Sequence, residues 1–303
     1  MLVSLKEVLK YAEKKSIAIG AFNVPNWESA QAICHAAEET HRPVILNYAP
    51  VHAPFLSMED AAEIMLYFAR KCKENVVVHL DHGTNFECCM QAIRLGFTSV
   101  MIDASAASFE ENIEITKEVV KASHSVGVDV EAEVGHIFAS ATGVGKAPSK
   151  IETKDSFSNI EDVYTQPEKA KEFKKATDVD AMAIAFGTSH GLYLTKPVLD
   201  LDRITQIRKA IKMPFVMHGG SGLSKQEFQT AIKNGIRKIN YYTYMTLAGG
   251  DAVKKAVLKS AEKTAKSDSS KKENIFFHDI PVIATQAMKE NVIEAIRIFS
   301  NEI

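Results

Sequence analysis

The chain has 303 residues, of which 46% are hydrophobic, and its formal net charge is −2. This length allows one large α/β barrel or two smaller domains. A charge so close to neutral argues against nucleic acid as the main partner, because binding along a phosphate backbone needs a clear basic excess. No uncharged run approaches the roughly 18 residues that a membrane span requires, and residues 1–15 have the pattern of an amphipathic helix, not of a signal peptide. We therefore predict a cytoplasmic protein with no membrane partner.

Apolar, β-branched runs alternate along the chain with segments of helical periodicity. The predicted strands are residues 17–24, 43–48, 76–82, 99–104, 129–135, 181–187, 214–219 and 236–240. Capping-box spacing supports two of the helices between them, at Ser108 with Glu111 and at Ser224 with Glu227. This alternation predicts an α/β fold, a (β/α)8 TIM barrel with an extra C-terminal helix at about residues 281–299. A doubly wound open sheet is the alternative, which the lack of a GxGxxG motif after the first strand weakens.

Two polar segments interrupt the alternation. Residues 136–166 form a long connection that would leave the barrel at its catalytic face, where such loops are typically lids or binding loops. Residues 255–274 are rich in Lys and Ser, and they indicate a solvated helix end followed by a flexible polar link. Since no shift in composition marks an internal boundary, we predict a single domain over residues 1–303.

The four cysteines carry no functional pattern. They are Cys34, Cys72, Cys88 and Cys89, and no CxxC pair occurs among them. Buried, reduced thiols of a cytosolic protein are the expected state.

Three histidines occur where an apolar strand gives way to a glycine or a turn. They are His82 in VVVHLDHG (76–83), His190 in AMAIAFGTSHG (181–191) and His218 in PFVMHGGSG (214–222). In a parallel barrel the C-terminal ends of the strands converge on one face. Three imidazoles on that face predict a catalytic zinc site with one coordination position left open.

Carboxylates are also found at predicted strand ends: Asp81 precedes His82, Asp103 follows the fourth strand, and Glu131 and Glu133 lie on the fifth. Buried acids are costly unless they are paired or bind a metal. One interpretation is a polar network that stiffens the barrel mouth. The other is proton transfer by Asp81, with Glu133 and Asp103 at or beside the metal.

The turn HGGSG (218–222) exposes consecutive backbone N–H groups and the hydroxyl of Ser221, and Asn240 and Thr243 follow the eighth strand. Loops after the last two strands of a barrel, together with a helix N-terminus, often bind phosphate. We therefore predict a phosphate site there.

The remaining histidines have weaker signals. His79 is expected to be structural or to contact a metal ligand, and His136 is ambiguous because it begins the long loop. Structural or surface roles are expected for the others, which are His35, His41, His52, His124 and His278.

Together these motifs resemble the class II, zinc-dependent ketose-bisphosphate aldolases, which act on fructose and tagatose 1,6-bisphosphates. The resemblance runs in collinear order over about the first 245 residues. It rests on AFNVPNWE (21–28), HLDHG (79–83), VMIDAS (100–105), VEAEVG (130–135), GTSHGLY (187–193), VMHGGSGL (216–223) and KIN (238–240).

The resemblance implies a role for each matched residue. His82, His190 and His218 would bind the catalytic Zn²⁺, Asp81 would move a proton to or from the C4 hydroxyl, and Glu133 and Asp103 would help to hold alternative metal positions. The dihydroxyacetone-phosphate end of the substrate would be bound by Gly191, Gly219, Ser221, Asn240 and Thr243. The resemblance also implies a place in carbohydrate metabolism of the glycolytic type, a monovalent cation (Na⁺ or K⁺) near the phosphate, and a homodimer or homotetramer.

The sequence departs from the family pattern around the aldehyde half of the substrate. The segment GHIFASATGVGK (135–146) contains no acid where a GGxED-like lid is usual, and the next acid is Glu152. Ala49 replaces a serine or threonine after the second strand. Tyrosines replace small or acidic residues after the eighth strand, at Tyr241, Tyr242 and Tyr244. We therefore expect an aldehyde other than glyceraldehyde 3-phosphate, such as one without a second phosphate, and Glu152 or His136 in place of the lid acid.

Two other functions remain open from the sequence. A zinc-dependent hydrolase or epimerase acting on phosphorylated sugars would use the same metal without C–C cleavage. A non-catalytic sugar-phosphate-binding protein would keep the site without turnover. The absence of an HxH motif after the first strand argues against the common metal-dependent hydrolases, and the retained Asp81 argues against a non-catalytic protein.

Overall fold

The computed structural model describes residues 1–139, 163–191, 197–266 and 274–303. Its strands, in chain order, are β1 (Ile19–Asn23), β2 (Val44–Tyr48), β3 (Val76–Gly83), β4 (Ser99–Ile102), β5 (Asp129–Val134), β6 (Phe138–Ala139), β7 (Ala181–Ile184), β8 (Ser189–His190), β9 (Phe215–Met217) and β10 (Ile236–Tyr241). Eight of them form a closed parallel barrel in the order β1-β10-β9-β7-β5-β4-β3-β2, and β6 pairs with β8 beside it. Because β1 pairs with both β2 and β10, the sheet has no edge. The predicted TIM barrel is confirmed, and the open sheet is excluded.

The helices alternate with the barrel strands as the periodicity predicts. They are α1 (Leu5–Lys15), α2 (Trp27–Thr40), α3 (Met58–Lys71), α4 (Phe86–Arg94), α5 (Phe109–Ser125), α6 (Pro167–Thr177), α7 (Leu201–Ala210), α8 (Lys225–Asn234), α9 (Thr243–Lys266) and α10 (Asp279–Phe299), with a 3₁₀ turn at Pro50–His52. Both predicted capping boxes are present, at Ser108 before α5 and at Ser224 before α8. These caps satisfy backbone N–H groups that have no partner inside the helix.

Helix α1 closes the N-terminal end of the barrel. Its buried apolar face, Leu5, Val8, Leu9 and Ala12, packs in one cluster with residues of the barrel strands such as Val77. Towards the C-terminal end the buried side chains of the strands become polar, for example His79 and Lys238. The N-terminal half of the barrel interior is thus filled with apolar side chains, and the buried polar residues lie towards the C-terminal mouth.

The extra C-terminal helix is α10, which begins at Asp279 and packs against α2, α9 and β1. Phe299 anchors its end against the rings of Phe228 and Tyr241. Residues 255–266, which the composition assigned to a helix end and link, form the last turns of α9, and 267–273 lie outside the described residues.

The four cysteines are free thiols, and Cys88 is the one that is not fully buried. None of the helices in the described ranges is long and apolar enough to cross a membrane.

Candidate active site

Three imidazoles from different strands meet at the C-terminal mouth of the barrel. Nε2 of His82, at the end of β3, lies 3.1 Å from Nε2 of His190 in β8. The same Nε2 atom lies 3.0 Å from Nδ1 of His218, which directly follows β9. The three strand-end motifs predict this convergence, and the structure brings all three residues together.

The far nitrogens of two of these rings are held by carboxylates. His82 donates from Nδ1 to Asp103 Oδ2 at 2.7 Å, and His218 donates from Nε2 to Glu131 Oε1 at 2.9 Å. In the neutral tautomer these bonds leave lone pairs on the facing nitrogens, which would repel each other at 3.0 Å unless a cation lies between them.

A zinc ion fits this donor set. With Zn–N bonds of about 2.0–2.1 Å, tetrahedral geometry places neighbouring nitrogens about 3.3 Å apart, close to the two separations observed. Burial and the neighbouring imidazoles lower the pKa of His190 to about 3, which keeps this ring neutral as a ligand. Burial alone would lower the pKa of His82, but the charges of Asp81 and Asp103 raise it to about 9. The negative charges that retain a proton on His82 also favour the binding of a divalent cation.

Strand β3 directs two consecutive side chains, Asp81 and His82, towards the mouth. In a regular strand neighbouring residues point to opposite faces. Here the pairing of β3 with β4 shifts register between Leu80 and Gly83, and His82 adopts the left-handed conformation with φ of 50°. Gly83 completes the turn at a point where a Cβ would lie 2.4 Å from Met101 O. The irregularity therefore turns His82 inward beside Asp81.

A second group of possible metal ligands joins the first at His82. Ligand atoms of His82, Asp103 and Glu133 lie within 4.8 Å of one another. Glu133 accepts from the backbone N–H of Ile137, and its Oε2 is buried with no hydrogen-bond partner of good geometry among the described residues. Burial and the charge of Asp103 raise the pKa of Glu133 to about 8. An unsatisfied buried oxygen beside a ligand imidazole fits the predicted role of Glu133 and Asp103 near the metal.

Two asparagines hold the carboxylate of Asp81. Asn23 donates to Oδ2 at 3.0 Å and Asn240 donates to Oδ1 at 2.9 Å. Burial opposes ionisation, but the charges of His82 and His218 keep the pKa of Asp81 below its usual range. The carboxylate is therefore ionised and fixed next to the three imidazoles. Asn23 had no assigned role in the sequence, although it ends β1 inside the matched segment AFNVPNWE.

Beneath the imidazoles lies a fully buried charged pair that the sequence analysis missed. Lys238 Nζ lies 2.8 Å from Glu131 Oε2, and neither side chain is exposed. His79 lies beside the pair, with its Nε2 3.6 Å from Glu131 Oε2. Its Nδ1 shares a hydrogen bond with the hydroxyl of Ser99. Against the effect of burial, Lys238 and His218 lower the pKa of Glu131 to about 2. The position of Lys238 in the sequence indicates its location. It lies two residues before Asn240 in an apolar strand, so the two side chains are on the same face.

The residues predicted to bind phosphate come from three adjacent elements. Gly219 has φ of 67°, and a Cβ there would lie 2.3 Å from Ser189 O in β8, next to His190 and Gly191. Ser221 accepts from the backbone N–H of Tyr242 at 3.4 Å, one residue before Thr243 begins α9. The loop after β9 therefore contacts β8 and the segment that directly follows β10. The side chain of Asn240 is turned towards Asp81.

The other histidines differ in location. His52, expected to be structural or on the surface, is buried at the barrel mouth, 4.8 Å from the ring of Tyr242. His35, His41 and His278 are exposed, and His124 bonds Asp180. The backbone of His136 donates to Val163. Glu152 and most of the predicted loop 136–166 lie outside the described residues.

Comparison with known proteins identifies the family of this chain. The family model of class II fructose-bisphosphate aldolases matches residues 3–302. The chain belongs to this family. As the family implies, it is an aldolase, a lyase that performs aldol cleavage.

Solved structures resemble this aldolase over nearly its whole length. The YdjI aldolase of Escherichia coli K12 is 33% identical, with a TM-score of 0.80, over 99% of this chain and 97% of that one. A putative fructose-1,6-bisphosphate aldolase from Coccidioides immitis is 26% identical, with a TM-score of 0.80, over 97% and 95%. The fructose-bisphosphate aldolase of Campylobacter jejuni, 22% identical with a TM-score of 0.80 over 100% and 96%, shares the fold.

Proposed function

We propose that this aldolase is zinc-dependent and reversibly cleaves a ketose 1-phosphate or 1,6-bisphosphate, of the fructose or tagatose type, to dihydroxyacetone phosphate and an aldehyde. The observation that carries the proposal is the convergence of three imidazole nitrogens beside an ionised, doubly hydrogen-bonded Asp81. We further propose a cytoplasmic homodimer or homotetramer with one domain over residues 1–303, which uses Na⁺ or K⁺ beside the phosphate.

The zinc site would be formed by His82, His190 and His218, with Asp103 and Glu133 at a neighbouring position. Bound there, Zn²⁺ would supply Lewis-acid stabilisation of the negative charge that develops on the ketone side as the C3–C4 bond breaks. Glu131 fixes the His218 ring by accepting from Nε2.

Asp81 performs the proton transfer in this proposal. An ionised carboxylate is an acceptor, and it takes the proton of the C4 hydroxyl during cleavage and returns it during condensation. Asn23 and Asn240 each donate to one carboxylate oxygen, which fixes the direction from which the proton is received. Such fixed placement of a catalytic base contributes to the rate through orientation.

The phosphate of the substrate would be held where three elements meet. Gly219 and Gly191 adopt positive φ, which leaves backbone N–H groups free of side-chain obstruction. Ser221 adds its hydroxyl, and Thr243 begins α9, whose N-terminus carries partial positive charge. This arrangement suits a dianion.

The test is release of triose phosphate from a panel of ketose phosphates, with and without a chelator. We expect chelator-sensitive release of dihydroxyacetone phosphate from at least one of them. His82→Ala should abolish metal-dependent turnover, and Asp81→Ala should keep zinc but lose most of kcat. His41→Ala, which removes an exposed imidazole outside the site, is the matched control.

Full activity in either site variant would contradict the assigned roles. If no ketose phosphate released triose phosphate, a zinc-dependent hydrolase or epimerase, or a non-catalytic sugar-phosphate-binding protein, would be favoured instead.

A further inference from the structure

Two rings are in contact at the rim of the active site. His52 lies in the 3₁₀ turn after β2, and Tyr242 directly follows β10. Their ring centroids are 4.8 Å apart, and the planes are tilted by 44°. We propose that this His52–Tyr242 pair binds the aldehyde half of the substrate and selects an uncharged, polyhydroxylated aldehyde over a phosphorylated one. The inference rests on the proposed function and names its substrate class.

The pair lies on the side of the barrel where the aldehyde half must be. Strands β2 and β10 both flank β1, so the two rings meet across the end of β1, where Asn23 holds Asp81. The turn that carries His52 also packs against β3, the strand of Asp81. In the proposed function Asp81 exchanges a proton with the C4 hydroxyl of the substrate. The substrate carbons beyond C4 therefore lie next to Asp81 and the residues around it. The His52–Tyr242 pair presents aromatic faces on that side.

His52 has an unmet hydrogen-bonding requirement. The residue is only 5% exposed, and its Nδ1 is buried with no hydrogen-bond partner among the described residues. A buried imidazole that lacks a partner for a ring nitrogen loses the hydrogen bonds that water would provide. At the mouth of an active site, a hydroxyl of a bound substrate can supply that partner. The ring can offer a donor at one nitrogen and an acceptor at the other, which matches a polyol.

The electrostatics of the pair disfavour an anion. Burial lowers the pKa of His52 despite the charge of Asp81, and burial raises the pKa of Tyr242, so both rings are neutral. Over the described residues, no lysine or arginine charge contributes to the pKa shift of either ring. A phosphate in this position would face the Asp81 carboxylate with no lysine or arginine of the described residues at the pair to offset its charge. Ala49, immediately before the turn, has no hydroxyl to offer. Neutral hydroxyls against aromatic faces fit this surface.

The experiment measures condensation of dihydroxyacetone phosphate with two aldehydes by the zinc-loaded enzyme. One is glyceraldehyde, and the other is glyceraldehyde 3-phosphate. We expect a higher kcat/KM for glyceraldehyde. His52→Ala should raise the KM for glyceraldehyde about tenfold, the effect of one lost hydrogen bond, and should leave the KM for dihydroxyacetone phosphate and the zinc content unchanged. A purely structural role would change all three.

Further variants keep the test decisive. His52→Gln retains a donor and an acceptor and should recover most of the loss. His52→Arg should raise kcat/KM for glyceraldehyde 3-phosphate relative to glyceraldehyde, because it adds the missing cation. Phe55→Ala removes an exposed neighbouring ring, 6.5 Å from His52, and should leave the preference between the aldehydes unchanged.

The outcomes separate the two proposals. If no aldehyde condenses with dihydroxyacetone phosphate and no ketose phosphate releases it, the proposed function fails. If condensation proceeds but glyceraldehyde 3-phosphate is the better substrate, or the folded His52 variants leave the preference unchanged, the inference about the pair alone is overturned.

Discussion

The buried pair of Lys238 and Glu131 gives a quantitative prediction for Lys238→Met. The Nζ–Oε2 distance is 2.8 Å and both side chains have zero exposure, so removing the ammonium leaves a carboxylate charge deep in the barrel. At an effective dielectric constant of about 20, a pair at this distance attracts by about 6 kcal/mol before desolvation is subtracted. Breaking a buried pair by removing one partner typically costs about 3–5 kcal/mol. His218 still donates to Glu131, so we expect a loss near the lower end, about 3 kcal/mol.

Equilibrium urea unfolding of wild type and variant measures this loss directly. The matched control is Lys289→Met, which removes an ammonium 3.0 Å from Glu39 at the surface and should cost about 0–1 kcal/mol. Adding Glu131→Gln to Lys238→Met removes the orphaned charge and should recover part of the loss. Equal destabilisation by Lys238→Met and Lys289→Met would refute the reasoning.

Three further predictions concern the metal, the phosphate turn and a helix cap. Glu131→Gln should weaken zinc binding about 10- to 100-fold, because it replaces the charged acceptor of the His218 imidazole with a neutral one. Competition with a chromophoric chelator measures the affinity, and an unchanged affinity would contradict this. Gly219→Ala places a Cβ 2.3 Å from Ser189 O at φ of 67°, so it should destabilise the fold by more than about 1 kcal/mol in thermal or urea unfolding. Gly250→Ala, which has open space in α9, should be neutral or stabilising, and the reverse order would argue against the geometry. Ser224→Ala removes the cap of α8 and should cost about 1 kcal/mol in the same assay, and no loss would show that the cap is dispensable.

Local patterns were sufficient to predict the barrel. Each predicted strand contains an observed barrel strand or overlaps most of it, because β-branched runs between helical segments leave few other arrangements. The three histidines were found for a related reason: in a parallel barrel every strand end points to the same mouth. Glycines after His82, His190 and His218 marked those ends.

Long-range geometry explains what the sequence did not reveal. His52 follows a strand by only four residues, and its local sequence predicts a structural or surface role. Nothing local indicates that it meets Tyr242, which is 190 positions further along. The pairing of Lys238 with Glu131 also depends on which strands are opposite each other inside the barrel. Alternation along β3 would have directed only one of Asp81 and His82 inward. The register shift that brings both inward has no single-residue signature.

The left-handed backbone of His82 lowers the stability of the fold at a residue of the candidate active site. A non-glycine residue in that conformation costs about 1–2 kcal/mol, which a glycine would largely avoid. The end of β3 is thus less stable than it would be with glycine at this position. The same dihedral angle directs the His82 imidazole into the barrel mouth. A glycine at this position would relieve the strain but would remove the imidazole, so backbone stability and the proposed metal site are opposed at this one residue.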